Sequence, residues 1–557
     1  MREGSCDFSD GAFVVDVPPH ASRRFRELFK EVKSGTRPPW RIQSKPDTAV
    51  DLEWFFQRYP AAISDVARRI MRSGAEQWQE SRAVIDQIMT REFTPPETVS
   101  FKDGRQPYPY QARAAALARQ TGRILLLDDG GLGKTVSALA MISDPAFLPA
   151  IVVPPPHIAD QWGEEYIEVF TTLRAHTVKG TTPYKLPPAD VYVMPYSRLS
   201  GWVSYAHEIG HRAIIFDEIQ DLRRGQETDK GRAAISFINS PSVRLRVGLT
   251  ATPIYNYGSE IFQIVNYIAP GALGSWNSFI VEWCVSKGNH WVVKEPDVLG
   301  DWLRSEGIAL RRTEHDEEVK SNLPPLNRLV VNVPWDDQAV DDDQALRRAL
   351  ALKVMSGNFT QSGQAARELD VMMRHDTGVA KARGVAAYVA MLLEAGEKVL
   401  LTGWHREVYD VWLRDLAPYK PVMYTGSESP SEKKKSKQAF INGDAGVMIM
   451  SLRSGSGTDG LQDVCAHVVF GELDWSPQVH TQVIWRLRRP GQKRQVTAHF
   501  LVTDGGSDPV IVETNGLKAS QSHAIMNPWT APAVAISDES RMKALAARVL
   551  EQTGGAK

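Results

Sequence analysis

The sequence predicts an α/β fold made of two parallel-sheet units, and three features of its apolar pattern support this prediction. Short apolar runs, each followed by a polar or glycine-containing turn, recur along the chain. Five of them fall in one part, at 123–129, 150–156, 190–196, 213–218 and 244–253. Four more fall in a later part, at 398–404, 446–452, 467–473 and 496–502. Helix-like segments such as TVSALAMIS separate the runs, and strands that alternate with helices are typical of a parallel sheet.

Length and composition predict several domains. At about 150 residues per domain, 557 residues correspond to three or four domains. Changes in texture along the chain predict five segments: an N-terminal accessory module at 1–100, a first α/β unit at 104–270, a helical insertion with a linker at 271–375, a second α/β unit at 376–505 and a C-terminal tail at 506–557.

The N-terminal module is predicted to be small and mostly helical, with proline-rich breaks. Its apolar residues at 25, 28, 29 and 32 follow the spacing of one buried helix face. The basic residues of this segment lie on a different side of the same helix: Arg23, Arg26, Lys30 and Lys33.

The overall composition is that of a soluble globular protein and excludes several classes. The apolar fraction is 43% and the charged fraction 24%, and no run reaches the roughly 18 apolar residues that a membrane span needs. The polar start predicts no secretory signal. Cys6, Cys284 and Cys465 lie far apart, which argues against a zinc site or a disulfide framework and fits a reducing compartment. The net charge of −1 means that any DNA site must be a local basic cleft.

The segment DDGGLGKT at 128–135 has the composition of a phosphate-binding loop. It follows a predicted strand and opens a predicted helix, whose N-terminus favours an anion. Lys134 is predicted to reach the β- and γ-phosphates, and the Thr135 hydroxyl to hold Mg²⁺. The other predicted ATP-binding residues of the loop are Asp128, Asp129, Gly130, Gly131, Leu132 and Gly133. The first position departs from the strict pattern, which has glycine there, and a glycine-rich turn without a ligand is the alternative.

An acidic pair ends the apolar run 213–218. A carboxylate there points to the carboxyl edge of the sheet, where ligands of α/β proteins bind. Asp217 is predicted to hold Mg²⁺ through water, and Glu218 to activate the attacking water. The alternative for such a pair is a solvated turn.

Two arginines near the end of the second unit are candidates for clamping a phosphate. Arg486 and Arg489 are three residues apart and would share a helix face if the segment is helical. Guanidinium groups stay charged and donate hydrogen bonds in a fork, which suits phosphate. The alternative is a basic surface helix.

The order of these motifs resembles the SWI/SNF-type DNA translocases of helicase superfamily two. Further segments carry the resemblance, which covers about residues 104–505: YPYQARAAALA at 108–118, VVPPPHIADQWGEEY at 152–166, VYVMPYSRLS at 191–200, GLTATPIYN at 248–256, LRRTEHDEEVKSNLPP at 310–325 and the long run at 454–492. Compared with the family pattern, this chain has Gln220 for His, Gln462 for Asn, Trp485 for an acidic residue and Arg488 for His.

The resemblance implies two RecA-like lobes that close on one ATP with Mg²⁺. It implies that Gln111 reads adenine and that Glu218, Arg486 and Arg489 are catalytic. It also implies a set of residues that couple ATP to DNA: Thr250, Thr252, Gly457, Gly460 and Trp475.

Two other segments have more than one interpretation. Residues 13–60 resemble the small DNA-recognition module found beside annealing-helicase members of the family, and a helical support for the motor is the alternative. SEKKKSKQAF at 431–440 resembles the family's helix before the Gly-rich motif. It could contact a phosphate backbone, or it could present a solvated face.

The function expected from the resemblance is ATP-driven translocation on double-stranded DNA without sequence specificity. A strand-separating helicase is one alternative, and a non-hydrolysing, ATP-gated DNA clamp is an alternative from another class. The expected partner is duplex or branched DNA, with no membrane and no zinc, and the expected location is the cytoplasm of a bacterial or phage-infected cell.

Overall fold

The structure is a computed structural model. It describes residues 4–29, 32–33, 35–90, 92–96, 101–251, 258–287, 290–320, 322–339, 344–356, 359–452, 459–512, 542–543 and 545–550. The chain divides into two compact units, Met1–Pro95 and Pro96–Lys557. None of the helices in the described ranges is long and apolar enough to cross a membrane.

The first unit packs three helices against a four-stranded sheet. Its elements are β1 (Gly4–Ser9), β2 (Ala12–Asp16), α1 (Pro19–Leu28), β3 (Trp40–Gln43), α2 (Pro46–Arg58), β4 (Ala61–Ile63) and α3 (Asp65–Met89), with the strands in the order β3-β2-β1-β4. Phe13, Phe25 and Phe55 are fully buried at the centre of its core. The predicted helices are present, and the sheet is an addition to the prediction.

The second unit begins with a lobe built on a seven-stranded sheet, here called the first lobe. Its elements up to residue 268 are α4 (Pro109–Thr121), β5 (Arg123–Leu126), α5 (Lys134–Ile142), β6 (Ala150–Val153), α6 (Ala159–Gln161), α7 (Glu168–Phe170), β7 (Ala175–Thr177), β8 (Val191–Val193), β9 (Ala213–Asp217), α8 (Asp229–Ile238), β10 (Leu245–Leu249) and α9 (Gly258–Ile268). A π-helical turn, Trp162–Ile167, joins α6 to α7.

The segment after α9 completes this lobe. It contains α10 (Trp276–Trp283), β11 (Cys284–Lys287), β12 (His290–Val293), α11 (Pro296–Ser305), β13 (Ala309–Leu310) and α12 (Glu317–Lys320). The main sheet has the order β13-β5-β10-β9-β6-β8-β7, and every pair in it is parallel.

The rest of the second unit is a second lobe on a six-stranded parallel sheet. Its elements are β14 (Leu326–Asn332), α13 (Gln344–Ser356), α14 (Phe359–Glu394), β15 (Val399–Gly403), α15 (Arg406–Asp415), β16 (Val422–Tyr424), α16 (Pro430–Asn442), β17 (Val447–Ser451), β18 (His467–Phe470), α17 (Pro477–Leu487) and β19 (Val496–Val502). The strand order is β14-β19-β18-β15-β17-β16.

The predicted fold class, two parallel-sheet α/β lobes, is confirmed. Each of the nine predicted apolar runs contains a strand, and most residues of these strands are buried. The range 271–375 is more than a helical insertion, since β13 joins the first sheet and β14 joins the second. The segment predicted as a C-terminal tail contains a helix over 545–550, and Leu545 and Val549 pack into the core of the second lobe.

Strand register brings the predicted site residues of the first lobe to one edge of the sheet. Leu249 at the end of β10 pairs with Leu126 of β5 and with Asp217 of β9. The loop after β5 and the acidic pair therefore leave the sheet side by side at its carboxyl edge, where parallel sheets bind ligands.

Candidate active site

The phosphate loop links the end of β5 to the start of α5. Gly131 and Gly133 have left-handed φ values of 79° and 72°, which favour glycine and let the loop turn sharply into the helix. Lys134 is the first residue of α5, and its Nζ donates to the carbonyl oxygens of Asp128, at 2.8 Å, and Asp129, at 3.2 Å. Thr135 follows it in the first turn of the helix. The lysine side chain therefore lies inside the curve of the loop, where it is predicted to contact the phosphates.

Two arginines hold the acidic start of this loop in place. Arg312 Nε donates to Asp128 Oδ1 at 2.9 Å, and both side chains are buried. Arg311 pairs with Asp129 at 2.7 Å and also donates to the Leu127 carbonyl at 2.8 Å. The carboxylates of Asp128 and Asp129 thus bind protein groups rather than facing a phosphate, which would repel them. Sequence reasoning assigned both to ATP binding and missed the positioning role of Arg311 and Arg312, whose Leu-Arg-Arg-Thr run was the available signal.

Gln111 is buried beneath the phosphate loop. Its Nε2 donates to the Leu132 carbonyl at 2.9 Å, and its Oε1 accepts from the Tyr108 backbone N–H at 2.9 Å. The Tyr110 hydroxyl donates to the same Leu132 carbonyl at 2.9 Å. Gln111 therefore connects the start of α4 to the loop, and its predicted contact with adenine stays a prediction.

The acidic pair lies at the end of β9. Trp162 Nε1 donates to Asp217 Oδ2 at 2.8 Å, and Gln220 Nε2 donates to Glu218 Oε2 at 2.5 Å. Burial, together with the neighbouring charge of Glu218, raises the pKa of Asp217 to about 7. Glu218 has a left-handed φ of 51°, an uncommon conformation for a residue with a side chain that recurs at functional sites.

The ammonium group of Lys134 is close to this pair. Burial lowers its pKa, and the charges of Glu218, Asp128, Asp129 and Asp217 oppose that shift. The first lobe thus brings one cation and two carboxylates together at the carboxyl edge of its sheet. This is the charge pattern that a phosphate with a divalent cation requires.

Arg486 and Arg489 of the second lobe come to the same place. Arg486 is in the last turn of α17, whereas Arg489 follows the end of the helix at Leu487. The shared helix face that their spacing suggested does not form. Arg489 Nε donates to the Trp485 carbonyl at 2.8 Å, and the guanidinium also pairs with Asp459.

Tyr166, which sequence reasoning did not single out, belongs to the first lobe and is close to charged groups of both lobes. Burial raises its pKa to about 12, and the charges that act on it include Arg489, Asp217 and Arg486. Burial also lowers the pKa of Arg486, while Tyr166 and Glu218 oppose that shift. Carboxylates of one lobe and guanidinium groups of the other therefore share one electrostatic environment. The signal in the sequence was the Pro…Trp…Glu block, which contains Tyr166.

The residues predicted to couple ATP to DNA are found in different settings. Thr250 is buried after β10, and its backbone N–H donates to the Leu126 carbonyl. Gly460 has a φ of 90°, and its N–H donates to Gln462 Oε1 at 2.9 Å. Trp475 is buried in the core of the second lobe and donates to Asp370 at 2.6 Å. Thr252 and Gly457 lie outside the described residues.

Comparison with known proteins identifies the family. A family model described as the SNF2-related domain matches residues 51–377, which is more than half of the chain. The chain belongs to the SNF2-related family. The predicted family, a SWI/SNF-type, helicase-like ATPase of superfamily two, is thereby confirmed. The part of the chain that matches the family model begins within the first unit and ends in α14.

Individual relatives match a larger share of the chain than the family model does. The chain is 27% identical over 466 residues to the SWI/SNF-related matrix-associated actin-dependent regulator of chromatin subfamily A-like protein 1 of Xenopus tropicalis, covering 80% of this chain and 47% of the relative. It is 25% identical to the DNA annealing helicase and endonuclease ZRANB3 of Mus musculus, covering 75% and 40%. It is 23% identical to the uncharacterized ATP-dependent helicase YqhH of Bacillus subtilis, covering 71% and 75%. The chain spans about half the length or less of the two animal relatives.

Proposed function

We propose that this protein hydrolyses ATP between its two lobes in a DNA-stimulated way and uses the cycle to move along double-stranded DNA. The observation that carries the proposal is that the arginines of the second lobe lie against the phosphate loop of the first. A Cβ on Gly131 would lie 3.5 Å from Arg489 Cγ, and the charge of Glu218 acts on the Arg486 guanidinium. A water-activating carboxylate and a phosphate-clamping guanidinium are useful together only if the terminal phosphate lies between them.

The residues present fit ATP with Mg²⁺. Arg486 Nε is buried and has no hydrogen-bond partner within the described part of the chain, so an anion at this place would satisfy it. Asp217 and Thr135 offer the oxygen ligands that Mg²⁺ prefers. The ion would neutralise phosphate charge there, and these two side chains would hold it.

Each residue then has a defined part in hydrolysis. The Lys134 ammonium leaves the carbonyl oxygens of the loop and donates to the phosphates of ATP. Glu218 accepts a proton from the attacking water. Arg486 and Arg489 donate to the terminal phosphate as negative charge develops on its oxygens, and arginines in this role are typically worth about 10³–10⁵ in rate. Neither lobe is competent alone, so hydrolysis depends on closure of the lobes.

DNA enters the proposal through the relatives and through lobe closure. The names of the matched relatives include a DNA annealing helicase and an ATP-dependent helicase. DNA that binds the closed lobes more tightly than the open lobes would shift the population toward closure and speed hydrolysis. Alternating closure and opening would move the lobes along the phosphate backbone, whose uniform charge gives no sequence preference.

The test is the ATPase rate with linear duplex, forked, single-stranded and RNA substrates. Duplex DNA is expected to stimulate the rate most, and the same preparation is expected to displace the third strand of a triplex. An ATPase rate that no nucleic acid changes would contradict the coupling, and stimulation without triplex displacement would contradict translocation.

Two alternatives remain distinct outcomes of the same measurements. Release of a labelled strand from a forked duplex would favour a strand-separating helicase. Absence of hydrolysis with tight, ATP-dependent DNA binding would favour a clamp. The proximity of Lys134, Glu218 and Arg486 argues for hydrolysis, since a clamp needs no water-activating carboxylate.

A further inference from the structure

The phosphate loop contacts the second lobe at Gly130, where the backbone conformation by itself does not require a glycine. Gly130 is not among the glycines with positive φ. A Cβ added there would lie 1.7 Å from Trp485 Cε3 and 2.2 Å from Cδ2. Real Cβ atoms essentially never approach another atom to under 3.0 Å, so any side chain at this position would displace the ring. The absence of a Cβ at Gly130 therefore leaves room for the Trp485 ring, which occupies that space.

Trp485 lies in the last turn of α17, close in the chain to the two arginines that are proposed to clamp the phosphate. It directly precedes Arg486, and its carbonyl accepts the hydrogen bond from Arg489 Nε at 2.8 Å. The position of the Trp485 ring and the positions of both guanidinium groups are thus linked over a few bonds. A contact that fixes the ring therefore also positions the backbone that carries both arginines.

A second contact connects this turn to the other side of the loop. Arg488 pairs with Glu314, whose backbone N–H donates to Asp129 Oδ2 at 3.3 Å. A Cβ on Gly131 would lie 2.6 Å from the Arg488 carbonyl oxygen. Trp485 and Arg488 are both positions where this chain departs from the family pattern, and both departures become contacts between the lobes.

We propose that Trp485 is a positioning residue, whose ring docks into the notch at Gly130 and sets the closure of the lobes that brings Arg486 and Arg489 to the phosphate site. The inference rests on the proposed function, because it concerns the geometry of hydrolysis. Shape complementarity at such a contact is sensitive to a single methyl group, as packed interiors are. The Trp485 ring of the second lobe thus fits against Gly130 of the first lobe only because Gly130 has no side chain.

The test is a double-mutant cycle on DNA-stimulated ATPase. Gly130→Ala is expected to lower kcat by tenfold or more with a smaller change in KM, because the methyl group keeps the ring and the arginines away. Trp485→Ala is expected to lower kcat several-fold, because without the ring no contact at Gly130 sets the closed position of the lobes. In the double variant, Gly130→Ala is expected to cost nothing beyond Trp485→Ala, since the methyl group then has room. Independent losses that multiply would overturn the inference.

Gly131→Ala is the matched control within the same loop. Its φ of 79° strains any residue with a Cβ, and its obstacle is the backbone carbonyl of Arg488. Trp485→Ala is therefore expected not to restore Gly131→Ala, and restoration there would show a general loosening of the cleft and overturn the specific contact. Thermal unfolding of each variant checks the fold. If the wild-type protein had no ATPase activity, the proposed function would be wrong. If the wild type were active and the kcat losses of the two single variants multiplied in the double variant, only the Trp485 inference would be wrong.

Discussion

At the residue scale, the site depends on a lysine of one lobe and an arginine of the other. Lys134→Ala removes the cation that is to contact the phosphates, and Arg489→Ala removes one that is to stabilise charge at the terminal phosphate. Each is expected to abolish DNA-stimulated ATPase and to leave the fold intact, with a loss of about 10³-fold or more for the arginine. A colorimetric phosphate assay and circular dichroism measure the two properties.

Arg494→Ala is a suitable control for the arginine variant. Arg494 is half exposed and pairs with Glu397, away from the phosphate loop. It is expected to keep the wild-type rate. If purified Arg489→Ala hydrolysed ATP at the wild-type rate, the assignment of lobe closure would be wrong.

Another residue-scale prediction concerns the buried histidine of α17. His480 Nε2 accepts the Asp474 backbone N–H at 2.9 Å, and burial lowers the pKa of His480 to about 4. An unfolded histidine binds a proton below about pH 6.5, so between pH 6.5 and 4 the unfolded chain binds more protons than the folded one. The free energy of unfolding therefore falls as pH falls through this window, by about 2 kcal/mol at pH 5 for this one group.

Urea unfolding at pH 7 and pH 5 measures this loss. His480→Gln keeps an acceptor for the Asp474 N–H but does not titrate in this range, so its loss of stability is expected to be smaller. His315→Gln, at a side chain that is 85% exposed, is expected to keep the wild-type loss. An unchanged loss in His480→Gln would contradict the role of this histidine.

At the element scale, α16 contacts the first lobe. Lys437 Nζ lies 3.1 Å from Glu165 Oε2, and the lysine side chain is only 15% exposed. Lys434 lies 3.7 Å from Glu164, with both side chains exposed. The lysine-rich sequence had suggested either a phosphate-backbone contact or a solvated face. Lys437 in this structure instead bridges the lobes.

Charge reversal tests whether that bridge supports closure. Lys437→Glu is expected to lower DNA-stimulated ATPase about two- to fivefold, since such a pair is worth about 1 kcal/mol. Adding Glu165→Lys is expected to restore most of the rate. Lys435→Glu, on the same helix, is the control. A loss of DNA affinity that Glu165→Lys leaves uncorrected would instead support a direct contact of α16 with the phosphate backbone.

The elements that sequence predicted and those it missed differ in a physical way. Strands such as β9 and β17 are buried apolar runs, and their composition alone marks them. β7, β13 and β16 have three residues or fewer, and none of them lies in an apolar run as long as the one around the equally short β8. The hairpin of β1 and β2 did carry a signal, because Asp10 and Gly11 have φ values of 49° and 74°, and an Asp-Gly pair favours such a turn.

The site residues also divide into those that local sequence predicts and those that it does not. Asp217 and Glu218 lie at the end of a predicted strand, and Lys134 opens the helix that follows another, so local sequence placed all three at the sheet edge. The pairing of Asp128 with Arg312 joins residues 184 positions apart. Local pattern gives no account of such a pair, nor of Trp485 against Gly130, because both arise only when separate elements pack together.

At the scale of the whole molecule, the N-terminal unit has its own core and an exposed basic side. Phe25 stacks on Trp40 and meets Phe55 edge-on inside that core. Arg23 is 87% and Arg24 67% exposed, while Arg26 lies over the Trp40 ring. Of the predicted basic side, Lys33 is also exposed and Lys30 lies outside the described residues. The exposed cations make a DNA-recognition module reasonable, and a support for the motor is the alternative.

Deletion of residues 1–100 distinguishes these roles. If the unit recognises DNA, the truncated protein is expected to lose affinity for branched DNA more than for linear duplex, because the motor retains its own contacts with duplex. The full chain with Arg23→Glu and Lys33→Glu is expected to show the same selective loss, and a shallower dependence of affinity on salt, since fewer phosphates are neutralised. Binding titrations at two salt concentrations measure both effects. Equal losses on the two DNA forms, with unchanged affinity in the charge-reversal variant, would mean that the unit supports the motor instead.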